Sequence, residues 1–599
     1  MKKKILYTLT ALALAAPAGA QLNSSVSVEG EYQPLVIETE RIGAFPLGFK
    51  YELPAANLDY EYAGVVADFK PGLLSMGVTG RQTGWPFGTR RGFIDLNAGS
   101  YLNTRLHAGC NILNDSRQSL TAELKFESST LWRSHGLPEG FTRLPRKRLY
   151  DGTLSLGYSR LIGPEGLLEA GASYRVAYFN YYGTTVERAL LSPGIARPAI
   201  PTQTLNQAKA AVGFSSSPSN IRGWHAEAAV DFTAYRRLYG PVLEGAASAG
   251  DRETILSAGA GYAFNFAETS AIALDAGGDF IFYANPQNTL LPTPDRRNYG
   301  IITLKPAYRF AGETLTIRAG ADIAISYDAM GTAPGEKFGS LHAAPNAEIA
   351  YRSPGGIGVT LSATGGVAPS TLLLREQFDR YQMPRLLSTQ PVFTPLDARL
   401  ALNAGPFAGF DASVALRYVA AKNVPLGGWY QAYLGSFFRT HGLPGPLYTD
   451  PYSQSASLHG LSVDLALGYC YGTMVEVKFD GSYTPQKGKR GIFNGFDRPR
   501  WVLAASAAVR PVKKLKIEVG YDYRGVRHCY ALTTGARGPE LTGRRLADIT
   551  DLNARITYSV LSNLDIYCSG ANLLNCRPDF LPGLQTEGIV ISGGFYLTF

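Results

Sequence analysis

Cysteine is scarce in this chain: five in 599 residues, an odd number and too few for a disulfide scaffold. Cys110, Cys470 and Cys568 lie inside alternating segments, where a thiol behaves as a small apolar residue. Cys529 and Cys576 fall in late loops, where they could pair in an exported protein. No Cys/His spacing fits a metal site, and the seven histidines are scattered, with no His-Glu-x-x-His. Past the amino-terminal segment there is no run of about 18 apolar residues, which excludes a helix spanning a membrane. Helical periodicity is nearly absent as well. Charge of one sign is also in short supply. There are 57 basic and 48 acidic residues, so the excess gives no case for nucleic acid. Basic clusters such as Arg146-Lys147-Arg148, Arg296-Arg297 and Arg544-Arg545 fall in loops, as solvated tips or contacts to anionic head groups.

What is present begins at the amino end. MKKKILYTLTALALAAPAGAQ joins Lys2, Lys3 and Lys4 to a short apolar stretch, Ile5 to Ala16, and then Ala18-Gly19-Ala20. A charged region, a short apolar region and an A-x-A site make residues 1–20 a cleaved signal peptide. The apolar stretch is too short to cross about 30 Å of hydrocarbon as a helix. Removing the three lysines leaves 54 basic against 48 acidic residues, a net charge of +6.

From there on the dominant pattern is alternation. In KLKIEVGYDY, 514–523, Leu515, Ile517, Val519, Tyr521 and Tyr523 share one face, and Lys516, Glu518 and Asp522 lie on the other. VEVKFDGSY, 475–483, sets Glu476, Lys478 and Asp480 against Val475, Val477 and Phe479, and AELKF, 122–126, repeats it around Glu123 and Lys125, with Glu127 next in line. Successive side chains of a strand point to opposite faces, so each strand has one apolar face and one of charge and glycine.

A soluble sandwich and a membrane barrel share that local pattern. Three features select the barrel. About 22 such segments lie between Arg90 and Phe599, mostly 10 to 14 residues, whereas soluble strands run about 5 to 6. Their links alternate between short ones (162–166, 353–356, 472–473) and long ones (132–150, 180–204, 284–297, 366–394, 420–455, 485–499, 525–546, 572–587). Aromatics cluster at segment ends, as in Tyr178-Phe179-Asn180-Tyr181-Tyr182, where rings suit a lipid–water boundary. The expected fold is all-β: a transmembrane antiparallel barrel over 90–599, with short periplasmic turns and long extracellular loops. Lipid offers no hydrogen bonds to a free edge, so the last strand must pair with the first. Counting back from Phe599 places a tight outer turn near Tyr101-Leu102-Asn103.

The carboxy terminus, SGGFYLTF, carries a resemblance. Ser592, Gly594, Leu597 and Phe599 follow the order polar–x–Gly–x–x–apolar–x–aromatic, which resembles the signal read by the outer-membrane barrel assembly machinery. Residues 564–599, through Asn572-Leu573-Leu574-Asn575 and Gly593-Gly594, resemble the final hairpin of TonB-dependent receptor barrels, which have 22 strands. Those receptors carry a plug of well over one hundred residues before the barrel. Here about 70 residues, 21–89, precede it, and they are expected to form a periplasmic or lumenal extension in a barrel with its plug missing or reduced. The head is also similar to outer-membrane proteins of Bacteroidota-like bacteria.

The resemblance implies the bacterial outer membrane, contact with its lipid, and transport of an external ligand. The alternative is a non-transporting subunit of an assembly, secretion or surface-lipoprotein complex, with periplasmic or surface lipoprotein partners. An enzyme built on Asp480 or Asp522 with His528 is disfavoured, because acidic groups on a wet wall need no catalytic explanation. No catalytic, cofactor or metal residue is therefore assigned. A barrel of this circumference would be wide open if empty. Its lumen is thus expected to be filled by residues 21–89, by inward-folded loops, or by another protein.

Overall fold

Alternation becomes sheet along almost all of the described chain. The computed structural model describes residues 91–599 apart from 116, 132–146, 164–165, 181–201, 217–222, 237–249, 285–297, 329–339, 373, 375, 377–379, 381–390, 431–450, 486, 489–498, 536–537 and 582–583. The expected signal peptide, 1–20, and extension, 21–89, lie outside the described residues.

Twenty-two strands form the wall. They are β1 (Gly92–Gly99), β2 (Thr104–Asn114), β3 (Gln118–Leu131), β4 (Lys147–Ile162), β5 (Gly166–Asn180), β6 (Thr202–Ser215), β7 (Gly223–Tyr235) and β8 (Arg252–Ala267). Next come β9 (Ser270–Ala284), β10 (Tyr299–Ala311), β11 (Leu315–Asp328), β12 (Ser340–Arg352), β13 (Ile357–Ala368), β14 (Val392–Phe407) and β15 (Phe410–Tyr430). The last are β16 (Pro451–Tyr471), β17 (Val475–Tyr483), β18 (Trp501–Val512), β19 (Leu515–Gly525), β20 (Ile549–Leu561), β21 (Leu564–Ala571) and β22 (Val590–Thr598). Each pairs antiparallel with its neighbour, and β1 pairs with β22 in unbroken register from Phe93↔Thr598 to Gly99↔Ser592. The sheet is closed, as a spanning sheet must be.

The links at one end run from two to seven residues. At the other they run from eleven to twenty-three, apart from the four-residue β1–β2 turn. That turn is the one expected near Tyr101, and it passes through positive φ at Tyr101 (61°) and Leu102 (52°). Two expected boundaries are corrected. The stretch 420–455 is strand at both of its ends, over 420–430 and 451–455, because β15 and β16 continue their ladder from Ala421↔Leu458 out to Trp429↔Pro451. Within 525–546 a hairpin forms from Arg527–Gly535 and Gly538–Leu546, and it pairs with the tip of β15. In both places the pattern lacks a lipid-facing stripe, so a strand outside the membrane reads as loop.

The apolar face points outward. Leu154, Ile272, Leu361 and Ile556 are each half or more exposed, as lipid contact requires of an isolated barrel. Exposed rings cluster at the short-turn end: Tyr262, Phe264, Phe266, Tyr308, Phe407, Phe410, Tyr469 and Tyr471. They form an interfacial girdle. Phe179 departs from the expected girdle role; it is fully buried on the inner side, while Tyr178 meets Tyr150 at 6.1 Å.

Candidate functional site

The nine charges expected on the wet wall alternate with the outward apolar residues and so lie inside. They are largely paired along their own strands or with the next. Glu123 meets Lys125 at 3.2 Å and His107 at 2.6 Å, Glu127 meets Arg105, Lys478 meets Glu476, Lys516 meets Glu518, and Asn553 Nδ2 donates to Asp522. Burial, then the charges of Arg500 and Arg545, hold the His528 imidazole below the ordinary value. Cys576 is a free thiol that accepts from Thr550 Oγ1, so the pairing with Cys529 is not formed. The side chain of Cys529 lies outside the described residues. No group of three or more His, Cys, Asp or Glu among the described residues could hold a metal.

The inner wall is not polar throughout. Toward the long-loop end, β4 to β11 turn apolar residues inward. Leu149, Ala177, Phe179 and Leu205 form one buried strip, and Ile255, Ile281, Tyr299, Ile301 and Ala324 form a second. Apolar side chains on a water-filled wall would lose about 25 cal/mol for every Å² left wet. They are buried because chain covers them.

Part of that cover is a strap that follows β13. Its described residues include Ser370, Thr371, Leu372, Leu374, Glu376 and Arg380, and Leu372 is fully buried. The strap is anchored twice. At its start Tyr299 Oη receives the Ser370 amide at 3.0 Å, Tyr283 donates to the Ser370 carbonyl, and the Leu372 amide donates to Glu253 Oε2 at 2.7 Å. Thr371 Oγ1 caps the turn by accepting from the Leu374 amide. These contacts lie on β8, β9 and β10.

The second anchor lies on β4 and β5. Arg175 donates Nε and Nη2 to Asp151, and Nη1 and Nη2 to Glu376. Arg380 donates Nε to Glu376 at 2.8 Å and Nη2 to Asp151 at 2.8 Å, with its guanidinium 5.9 Å from the Phe179 ring centre. Two cations and two anions thus close a ring of ion pairs, with the Glu376 side chain 1% exposed. Burial pushes the Glu376 carboxyl up, but Arg175 and Arg380 more than offset it and hold the group below its ordinary value. The strap therefore runs from β13 past β8–β10 to the β4–β5 wall, within the lumen. One of the three expected fillers, an inward-folded loop, is present.

Sequence reasoning located neither strap nor ring. A signal did exist: alternation breaks in DFIFYA, 279–284, and YGII, 299–302, which are apolar on both faces. Such runs mark strands covered on both sides.

At the seam the four terminal-motif residues all meet their neighbours. Ser592 Oγ accepts from Asn97 Nδ2 and contacts Ser569 Oγ at 2.8 Å. The Tyr567 ring lies against Gly594, and its hydroxyl donates to Asp95 on β1 at 2.5 Å. Leu597 pairs with Ile94 and with Leu564. Phe599 exchanges backbone bonds with Gly92, donating to its carbonyl and accepting from its amide. At the outer end Asn572, at φ 48°, gathers the last loop through the Cys576 and Glu587 carbonyls, and Glu587 accepts from Ser129 and Asn103.

Solved structures match this architecture. The FrpB iron transporter from Neisseria meningitidis superposes with a TM-score of 0.64 at 12% identity, covering 86% of this chain and 82% of that one. The siderophore receptor PirA from Acinetobacter baumannii gives 0.63 at 11%, covering 85% and 80%. The fold is the TonB-dependent receptor barrel. A third receptor-type barrel, the ferric enterobactin receptor PfeA from Pseudomonas aeruginosa, gives 0.60 at 12%, covering 85% and 81%. No family model and no curated protein matches the sequence. A receptor-type barrel with this girdle belongs in the outer membrane. At such low identity the likeness speaks to fold, so the function must come from the lumen.

Proposed function

We propose that this receptor-type barrel carries an external ligand across the outer membrane, with its long loops as the capture surface and the strap as a displaceable obstruction. The observation that carries this reading is how the strap is held. Its described residues contribute no strand to the wall; hydrogen bonds to wall side chains and a ring of ion pairs fix them to separate stretches of wall. A permanent filler would be expected to extend the sheet or to pack an apolar face throughout. Paired charges are instead suited to exchange, because they can be re-satisfied by water or by a ligand. In the same reading, residues 1–20 direct export, and Ser592, Gly594, Leu597 and Phe599 address the chain to the assembly machinery.

The test is conductance in planar bilayers. The purified full chain should show small or rare openings, and the Glu376→Ala, Arg380→Ala double variant should show larger ones. Silence from both proteins, together with stoichiometric partners after gentle extraction, would overturn the transport reading in favour of a subunit of an envelope complex.

A further inference from the structure

The second anchor of the strap has a division of labour that points to the ligand. Arg175 offers two edges. Asp151, from the adjacent strand, takes Nε and Nη2 and so fixes the guanidinium against the wall. The remaining edge, Nη1 with a share of Nη2, is met by the two oxygens of Glu376 at 3.0 and 3.3 Å, the bidentate contact a guanidinium makes with a carboxylate. Asp151 belongs to the wall. Glu376 is delivered to it by the strap.

The charges around the position follow the same division. The groups that bear on Glu376 are Arg175 from β5, Asp151 from β4, and Arg380 four residues further along the strap. With Glu376 present the ring is neutral. With Glu376 withdrawn, Asp151 still holds Arg175 and Arg380, and the remaining three groups carry one net positive charge facing an empty carboxylate position. The Phe179 ring closes one side beside Arg380.

We propose that Glu376 is a resident substitute for a ligand carboxylate: Arg175 on the lumen wall and Arg380 on the strap form an anion site, and an anionic, carboxylate-bearing ligand releases Glu376 by taking its place. This rests on the transport reading for its purpose but not for its chemistry. Exchange of one carboxylate for another leaves both guanidiniums satisfied, so the step avoids stranding a buried charge, which is the costly outcome when one partner of a buried pair is simply removed. A cationic ligand would face two guanidiniums and gain nothing. Because only the strap-released form is competent, apparent affinity in the parent is lowered by the fraction of time Glu376 is docked.

The experiment uses the full chain in detergent, with succinate as probe and putrescine as the cationic control. By calorimetry, Glu376→Gln should bind succinate about tenfold more tightly than the parent, as expected when a competing internal occupant is removed. In the parent, succinate should speed hydrogen exchange of the Leu372 and Leu374 amides, and putrescine should not. Adding Arg175→Gln to Glu376→Gln should abolish succinate binding while the folded band on a cold gel persists. Equal binding by the parent and Glu376→Gln, or binding that survives loss of Arg175, overturns the proposal. Should the variants fold poorly, the exchange response of the parent still tests it, and exchange that succinate leaves unchanged overturns it. A barrel that conducts but shows no succinate response overturns this proposal alone; one with the response that never conducts overturns the transport reading alone.

Discussion

Gly594 shows how much a single position can carry. A β-carbon there would lie 2.3 Å from the Leu96 carbonyl oxygen and 2.6 Å from the Tyr567 ring and hydroxyl. The backbone oxygen cannot yield, and the ring cannot yield without leaving Asp95. The glycine in the terminal motif is therefore a socket, and the ring seated in it links β21 to β1 across β22. Gly594→Ala should lower the stability of the folded barrel by about 1–3 kcal/mol through overpacking. Tyr567→Phe, which keeps the ring but drops the bond to Asp95, should cost about 1 kcal/mol. Both are read as shifts in the urea midpoint of the folded gel band. A Gly594→Ala barrel as stable as the parent would mean that the ring has another place to lie. The motif itself was legible in sequence because its four positions are fixed by distance from the chain end. Its partners were not, since Asp95 and Tyr567 are 472 residues apart.

Strands were legible in proportion to their contact with lipid. β19 and β17 read cleanly because water and lipid demand opposite residues of their two faces. β4, β5, β9 and β10 read less cleanly at their outer ends, where Leu149, Phe179, Ile281 and Ile301 meet chain rather than water. The strap was illegible for a related reason. It has no period, and Asp151, Arg175, Glu376 and Arg380 come from three segments that only closure of the wall brings together. Its docking should depend on pH with a definite sign. The folded Glu376 carboxyl is held below its ordinary value. Its contribution is thus fully present above the ordinary carboxylate range, about 4, and is lost as pH falls through the lower docked value. Protection of the Leu372 amide, corrected for intrinsic exchange, should be flat above about pH 5 and fall below about pH 4. Glu376→Gln should remove that fall. A fall that persists in the variant would assign the titration to another group, with Glu253, the acceptor for that amide, as the first to substitute.

For the whole molecule the decisive property is that the sheet has no free edge. Every wall strand lends its backbone to two neighbours, so unfolding cannot begin at an exposed edge strand and the barrel must be breached somewhere along the ring. The natural place to breach is the β22–β1 seam, which joins the two ends of the wall. Its register is short, and at the short-turn end it is completed by the last residue: Phe599 accepts from the Arg91 and Gly92 amides and donates to the Gly92 carbonyl, with its ring lying over Gly92. The folded protein should therefore migrate differently from the boiled protein on a detergent gel, since a closed barrel resists the detergent until heat opens it. Deleting Phe599 removes three backbone bonds and the ring at once. It should lower the temperature at which the folded band converts and reduce the yield of folded barrel in cells. Phe599→Ala keeps the backbone bonds and separates the two effects: its thermal shift should be the smaller, whereas its assembly defect should match the deletion if the ring is the feature read during insertion. Identical band positions before and after boiling would contradict closure, and normal assembly of both variants would remove the terminal aromatic from the address.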